Sequence, residues 1–221
     1  MLCPPKPPNI RHRPGGAGAV LGNRVPTLVL ATGNAGKARE LIALLAGIPF
    51  EIRTLGDYPP FTMPEENGAT YEANALIKAR ATAAHTGALA LGDDSGIEVD
   101  ALGGVPGIRS ARFGGSGLDD KGRVRHLLRQ IEHVPDHERT ARFRCVIALV
   151  GADGRGTLVE GACEGRIARE PRGTGGFGYD PVFFYPPLDR TFGELSDADK
   201  AIVSHRGRAA AAARAVLAAM V

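Results

Sequence analysis

Short β-rich runs alternate with segments of helical periodicity in this chain, and that alternation restricts the possible folds more than any other feature. TLVLAT, residues 27–32, precedes AGKARELIALLAG, where Leu41, Leu44, Leu45 and Ile48 recur at helical spacing. FEIRTL, ALALGDD, GIEVDAL and VFFY predict further strands, and ARFRCVIALVGADGRGTLVEGACEGRIA predicts a long hairpin with a return strand. Strands and helices in this order predict an α/β or α+β domain with two lobes around a cleft.

Alanine-rich segments predict most of the remaining helices. TYEANALIKARATAAHT, from about Ala69 to Thr86, places Asn74 and Lys78 on one helix face at a spacing of four. A further helix is expected near Leu118–His133, and SDADKAIVS and RGRAAAAARAVLAAM predict two more before the chain ends.

Composition excludes several classes of function. A net charge of +3 is too slight for a nucleic-acid-binding surface, and no stretch of about 18 apolar residues could span a membrane. The three cysteines, Cys3, Cys145 and Cys163, form no CxxC pair, which favours a reducing cytoplasm over a disulfide framework or a zinc ribbon. Residues 1–26, rich in Pro, Gly and Arg, are expected to be a disordered extension, with residues 27–221 forming the domain.

Two segments could bind the phosphates of a ligand. ATGNAGKAREL is a strand–turn–helix in which backbone N–H groups and Lys37 could meet an anion, although an ordinary corner with a surface lysine is the competing interpretation. The motif is no Walker P-loop, because Ala38 stands where Ser or Thr is required. In MPEENGATYEANALIKAR, Glu65 and Glu66 precede a helix, where they could complement its dipole or supply an oxygen ligand for Mg²⁺.

The run LALGDDSG ends a predicted buried strand on two adjacent carboxylates, Asp93 and Asp94. Like charges at that spacing repel and are costly to bury, so a simple turn competes with a site that presents a metal ion and phosphates to the pair. In α/β proteins, ligand-binding groups stand at the carboxyl ends of strands.

Two later segments could bind a base. GTGGFGYDPVFFYP surrounds Phe177 with glycines, as expected either for a close approach to a ligand that stacks on the ring or for a hairpin loop with the ring in the core. DKAIVSHRG brings Lys200, His205 and Arg206 together, as base-edge donors or as complement to a helix end. Combined, the segments predict a nucleotide site.

TGNAGK, EENGATYEANALIKAR, DDSGIEVDALGGVPGIRSARF, TGGFGYDPVFF and SHRG, in this order, closely resemble the inosine/xanthosine triphosphate pyrophosphatases. The resemblance runs from about Val25 to the C-terminus. It implies an elongated mixed β-sheet flanked by helices, in two lobes around a central nucleotide-binding cleft, and generally a homodimer. The implied activity is hydrolysis of non-standard purine nucleoside triphosphates (ITP, dITP and XTP) to the monophosphate and pyrophosphate, with Mg²⁺ as cofactor and with no nucleic acid or membrane as partner.

The resemblance also implies roles for individual residues. Asp94 would accept the proton and bind Mg²⁺, and Glu65 would be a second metal-linked acid, with Asp93 and Glu66 as their neighbours. Substrate contacts would come from the turn residues Thr32, Gly33, Asn34, Ala35, Gly36 and Lys37, and from Asn74, Lys78, Ser95, Phe177, Gly178, Tyr179, Asp180, Lys200, His205 and Arg206.

Two alternatives remain open at this stage. One is a sensor that binds triphosphates without cleaving them, although so many carboxylates suit a polyanion binder poorly. The other is a Maf-like pyrophosphatase acting on dTTP or modified pyrimidines.

Selection of hypoxanthine and xanthine over adenine is expected from donors at His205 or Arg206 that pair with the 6-oxygen.

Overall fold

The computed structural model describes residues 25–221, and its centre is a mixed sheet of seven strands. The predicted disordered extension, residues 1–26, lies outside the described residues except for its last two. The strand order is β2-β1-β3-β4-β5-β6-β7, with β1 parallel to both neighbours and all later pairs antiparallel. The α/β class and the mixed sheet flanked by helices are confirmed. The strands are β1 Thr27–Leu30, β2 Glu51–Thr54, β3 Leu89–Val99, β4 Thr140–Val150, β5 Gly156–Ile167, β6 Phe183–Tyr185 and β7 Arg190–Thr191.

Five α-helices flank this sheet in the described part of the chain, and none of them is long and apolar enough to cross a membrane. Each begins with a side-chain cap, supplied by Asn34, Thr70, Asp119, Ser196 and Ser204 in turn, which satisfies a free backbone N–H of the first turn. The helices are α1 Ala35–Leu44, α2 Tyr71–Thr86, α3 Asp120–Gln130, α4 Asp197–Val203 and α5 His205–Ala218.

The two strands expected in ALALGDD and GIEVDAL are one continuous strand, β3, so that part of the sequence prediction was wrong. Asp93 and Asp94 lie in its middle, paired with Ile147 and Val146 of β4, and not at its carboxyl end. Aspartate, serine and glycine disfavour strands, which is why the sequence suggested a break. Ten residue pairs with β4 hold the segment extended nevertheless.

Close helix–sheet packing fixes both faces of the sheet beside the two aspartates. A Cβ on Gly92 would collide with the backbone of α2 at Ala75, and one on Gly161 would collide with the backbone of α5 at His205. Glycine at these positions therefore lets each helix approach the strands directly. Alanines such as Ala79 of α2 fill the interface.

Candidate active site

Asp93 is completely buried on the face of the sheet that α1 and α5 cover, and cations surround it. Its Oδ1 lies 2.5 Å from Lys37 Nζ, and its Oδ2 lies 3.2 Å from Arg206 Nε and accepts from Cys145 Sγ at 3.1 Å. Burial opposes ionisation, but the charges of Lys37 and Arg206 outweigh it and hold the pKa of Asp93 well below the usual range. Asp93 is therefore a permanent counter-ion for two cations.

Asp94 faces the opposite side of the sheet, toward α2. Its Oδ1 is 3.4 Å from Lys78 Nζ, and its Oδ2 accepts a hydrogen bond of 3.2 Å from Asn74 Nδ2. Burial raises the pKa of Asp94 above its ordinary value, because the attraction of Lys78 only partly offsets it. Since a carboxylate with a raised pKa is a stronger base, Asp94 is the better placed of the two to accept a proton.

The glutamates before α2 differ in where their side chains lie. Glu66 is partly buried and its carboxylate is 3.0 Å from Lys78 Nζ, so one ammonium bridges Glu66 and Asp94. Glu65 is exposed. The structure thus places Glu66 beside Asp94, whereas the sequence prediction favoured Glu65 as the second metal-linked acid. Across residues 25–221, no group of three His, Cys, Asp or Glu side chains is arranged to hold a metal ion alone.

The turn between β1 and α1 has the geometry of an anion site. Asn34 Oδ1 accepts from Lys37 N at 3.0 Å and caps the helix, while Asn34 N donates to Thr32 Oγ1 at 3.1 Å. The first turn of α1 contains no acidic residue, so nothing on it opposes an anion at the helix N-terminus. Gly36 is required for packing, because a Cβ there would meet the ring of Phe177.

Glu40, one turn beyond Lys37 on α1, joins Lys200 and Arg206, which the sequence analysis placed in one segment without an acidic partner. Its two oxygens lie 2.6 Å from Lys200 Nζ and 2.6 Å from Arg206 Nη1. Lys200 also lies 2.5 Å from Asp180 Oδ2, and that carboxylate accepts from Phe177 N at 2.7 Å. The network ties α1, α4 and α5 to the glycine-rich loop.

Phe177 and His205 are the rings at this end of the site. The ring centroid of Phe177 is 5.1 Å from Lys200 Nζ and 5.6 Å from Arg206 Cζ, and the side chain is only half-buried. His205 is buried and stacks on Phe143, with centroids 4.5 Å apart and planes 13° apart. Burial, with the charges of Arg206 and Lys200, keeps the pKa of His205 well below its ordinary value, so the imidazole is neutral.

One cavity of about 260 Å³ joins the turn between β1 and α1 to these rings. Residues that the sequence analysis selected form much of its wall: Asn34, Lys37, Ser95, Phe177, Gly178, Tyr179, Asp180, Lys200, His205 and Arg206. Asn74, Lys78 and Asp94 lie together on the α2 side of the sheet and are not part of that wall.

Several residues of the site were missed in the sequence. Ser110, Ala111, Asp120, Arg123 and Phe143 line the same cavity. Phe143 alternates with Arg142 and Arg144 along β4 and so was indistinguishable from a core residue, while Arg123 lies among other charged residues of α3. The spacing of three between Lys37 and Glu40 on one helix face was the only signal for Glu40.

Comparison with known proteins gives one consistent result. The family model described as the Ham1 family matches residues 28–216 of this chain. A dITP/XTP pyrophosphatase from Desulforamulus reducens is 51% identical over 190 residues, which is 86% of this chain and 94% of that protein. A dITP/XTP pyrophosphatase from Thermus thermophilus is 50% identical, over 82% of this chain and 87% of its own length.

Solved structures agree with the sequence relatives. A HAM1 protein from Coxiella burnetii has a TM-score of 0.78 at 40% identity, covering 87% of this chain and 98% of that one. A nucleoside-triphosphatase, also described as a dITP/XTP pyrophosphatase, from Mycobacterium abscessus has a TM-score of 0.68 at 43% identity, covering 85% and 97% respectively.

Proposed function

The chain belongs to the Ham1 family, and on that premise we propose that it hydrolyses non-standard purine nucleoside triphosphates. ITP, dITP and XTP are the substrates, and the products are the nucleoside monophosphate and pyrophosphate. One observation carries the proposal: a single cavity joins the phosphate turn at Asn34 and Lys37 to Phe177, His205 and Arg206. Relatives named dITP/XTP pyrophosphatase, which are 51% and 50% identical to this chain over most of its length and of theirs, support the substrate class.

At the phosphate end, this chain supplies positive charge and a base. The N-terminus of α1 and Lys37 bind phosphate oxygens, and the charge of Lys37 also opposes the rise in the pKa of Asp94, so the phosphate end lies beside that carboxylate. Asp94, paired with Lys78, orients and deprotonates the attacking water. Charge that builds on the departing pyrophosphate is stabilised by these fixed cations, which need no reorganisation during the reaction.

The acids also fit a divalent cation. Asp94 and Glu66 carry their carboxylates to a shared ammonium, Lys78 Nζ, and hard carboxylate oxygens are the ligands that Mg²⁺ takes together with substrate phosphates. We assign Asp94 and one of Glu65 and Glu66 to Mg²⁺, with Glu66 favoured by its position. A bound Mg²⁺ would neutralise phosphate charge and that of the leaving group.

Base selection follows from the donors around Arg206. Three of its N–H groups are used by Glu40, Asp93 and Ser95, which fixes the guanidinium and leaves two of its five donors without a partner among residues 25–221. Those donors, with His205, pair with the 6-oxygen of hypoxanthine or xanthine. Adenine presents an amino group there, and a buried donor facing another donor costs about 1–3 kcal/mol.

A substrate panel tests the proposal. Equal concentrations of ITP, dITP, XTP, ATP, dTTP and UTP are incubated with MgCl₂, and pyrophosphate and phosphate are quantified separately. Pyrophosphate from the inosine and xanthosine substrates is expected, with none after EDTA. No pyrophosphate from any substrate would favour a nucleotide sensor, and preferred cleavage of dTTP or UTP would favour a Maf-like enzyme.

The resemblance further suggests a homodimer that acts on the cytoplasmic nucleotide pool. Within the described part of the chain, Cys145 and Cys163 are buried thiols that form no disulfide, which suits a reducing compartment. Sedimentation equilibrium tests the dimer: a mass of one chain at micromolar concentration would contradict it.

A further inference from the structure

Arg123 lies on α3, an element that the proposed mechanism leaves without a function. It is in the first half of α3 and lines the same cavity as Ser95, His205 and Arg206, which come from β3 and α5. Its side chain is only 17% exposed. A guanidinium therefore faces the ligand cavity from a second element.

The fold makes little use of this guanidinium. Arg123 Nε is buried and has no hydrogen-bond partner among residues 25–221, and the contact of Nη1 with Asp120 is long, at 3.5 Å. The other oxygen of Asp120 already accepts from Gly178 N at 2.9 Å, which anchors the glycine-rich loop. A buried, charged donor without a partner is costly, so its retention here needs a reason.

The charge of Arg123 acts on Tyr179, which lines the same cavity. Burial raises the pKa of Tyr179, whereas the charge of Arg123 opposes that rise, so the guanidinium lies near this ring of the cavity wall. Tyr179 donates its hydroxyl hydrogen to Ser110 O at 2.9 Å, and among residues 25–221 neither it nor any other group accepts a hydrogen bond from Arg123 Nε.

Purine chemistry defines which ligand gains from a second cation. Xanthine carries carbonyl oxygens at both the 6- and 2-positions, hypoxanthine carries only C–H at the 2-position, and guanine carries an amino donor there. The second carbonyl also makes the xanthine ring more acidic, and hence more easily anionic, than hypoxanthine. A guanidinium pairs with the acceptor, gains nothing from the C–H, and opposes the amino group.

We propose that Arg123 determines specificity at the 2-position of the purine: it donates to the second carbonyl of xanthine and disfavours guanine. The inference rests on the proposed function, which gives the 6-position to Arg206 and His205. It further predicts that XTP is preferred over ITP, and it gives a physical cause for the rejection of GTP.

Product binding tests the inference separately from catalysis. Titration calorimetry measures the affinity of XMP, IMP and GMP for the full chain, for Arg123→Leu and for Arg129→Leu, a control at an exposed position of the same helix. Arg123→Leu should weaken XMP by about tenfold to a hundredfold, the loss typical of a hydrogen bond to a charged group, and change IMP little. GMP should bind no worse, and the control should change nothing.

Equal losses for XMP and IMP, or no loss for either, would overturn the inference. Arg123→Gln, which keeps a neutral donor of similar shape, should retain part of the XMP preference and serves if the leucine variant does not fold. If the wild-type chain binds XMP but cleaves no triphosphate, the proposed hydrolysis fails, whereas the Arg123 assignment is still decided by the binding ratio.

Discussion

Asp93 and Asp94 are adjacent on β3, yet their carboxylates contact cations on opposite faces of the sheet. Side chains alternate along a strand, so Asp93 meets Lys37 and Arg206 while Asp94 meets Lys78 and Asn74. The pKa of Asp93 is lowered and that of Asp94 is raised. In the proposed mechanism the pair therefore divides two tasks: Asp93 holds Lys37 and Arg206 in place, and Asp94 acts as the base.

The role of Asp93 as counter-ion predicts a large effect on stability. Asp93→Asn leaves Lys37 and Arg206 buried without a full counter-charge, and breaking a buried pair in this way costs about 3–5 kcal/mol. Urea unfolding should show that loss in the free energy of unfolding. Glu51→Gln, which removes an exposed pair with Arg53, should change the free energy of unfolding far less, because solvent screens that pair. Equal effects of the two substitutions would contradict the assignment.

The ion pairs of Glu40 predict that this residue, which lies outside the sequence motifs of the site, affects catalysis. Glu40→Gln removes the charge that holds Lys200 and Arg206 together, so both should lose their fixed positions. We expect kcat/KM for XTP to fall by about tenfold to a hundredfold, and the preference for XTP over ATP to narrow. An unchanged ratio of kcat/KM for XTP and ATP would show that Glu40 does not orient the base-reading donors.

Phe177 predicts a stacking contribution to purine binding. Phe177→Leu removes the ring and should weaken IMP by roughly 1–3 kcal/mol, the usual value of a base–aromatic stack. Phe177→Tyr keeps the ring and serves as the control. Calorimetric titration distinguishes them, and equal IMP affinities of the leucine and tyrosine variants would exclude stacking on this ring.

His205 predicts a pH dependence of stability. Its folded-state pKa lies well below the ordinary 6.5, so below pH 6.5 the unfolded chain binds more protons than the folded one. The contribution of His205 is complete above pH 6.5 and falls as the pH drops, by about 1.4 kcal/mol at pH 5.5. Urea unfolding at pH 7.5 and pH 5.5 should show a smaller pH-dependent loss for His205→Phe than for the wild type. Equal losses would mean that His205 is protonated in the folded chain.

Local signals in the sequence predicted much of this molecule. Helical periodicity identified α1 and α2, and the strand–turn–helix pattern identified the turn at Asn34 to which the proposed mechanism assigns phosphate. The continuity of β3 through the two aspartates was not predictable, because strand propensity there is poor and pairing with β4 overrides it. The sequence also could not predict which of Glu65 and Glu66 lies beside Asp94, because the loop has no periodicity from which the buried side chain could be inferred.

Long-range ion pairs were the other part that the sequence concealed. Glu40 and Arg206 are 166 positions apart, and only the packing of α1 against α5 brings them within 2.6 Å. In the sequence, Glu40 resembles an exposed residue of an amphipathic helix, and Phe143 resembles any core residue of a strand. Local patterns therefore identified the motifs, while the contacts that orient them required the fold.

The most direct measurement compares turnover and binding in Asp94→Asn. Asparagine keeps the size of the side chain but cannot accept the proton of water, so pyrophosphate release from XTP should fall by at least about a hundredfold. Affinity for XMP, measured by calorimetry, should stay close to that of the wild type. Undiminished pyrophosphate release by this variant would contradict the assignment of Asp94 as the base.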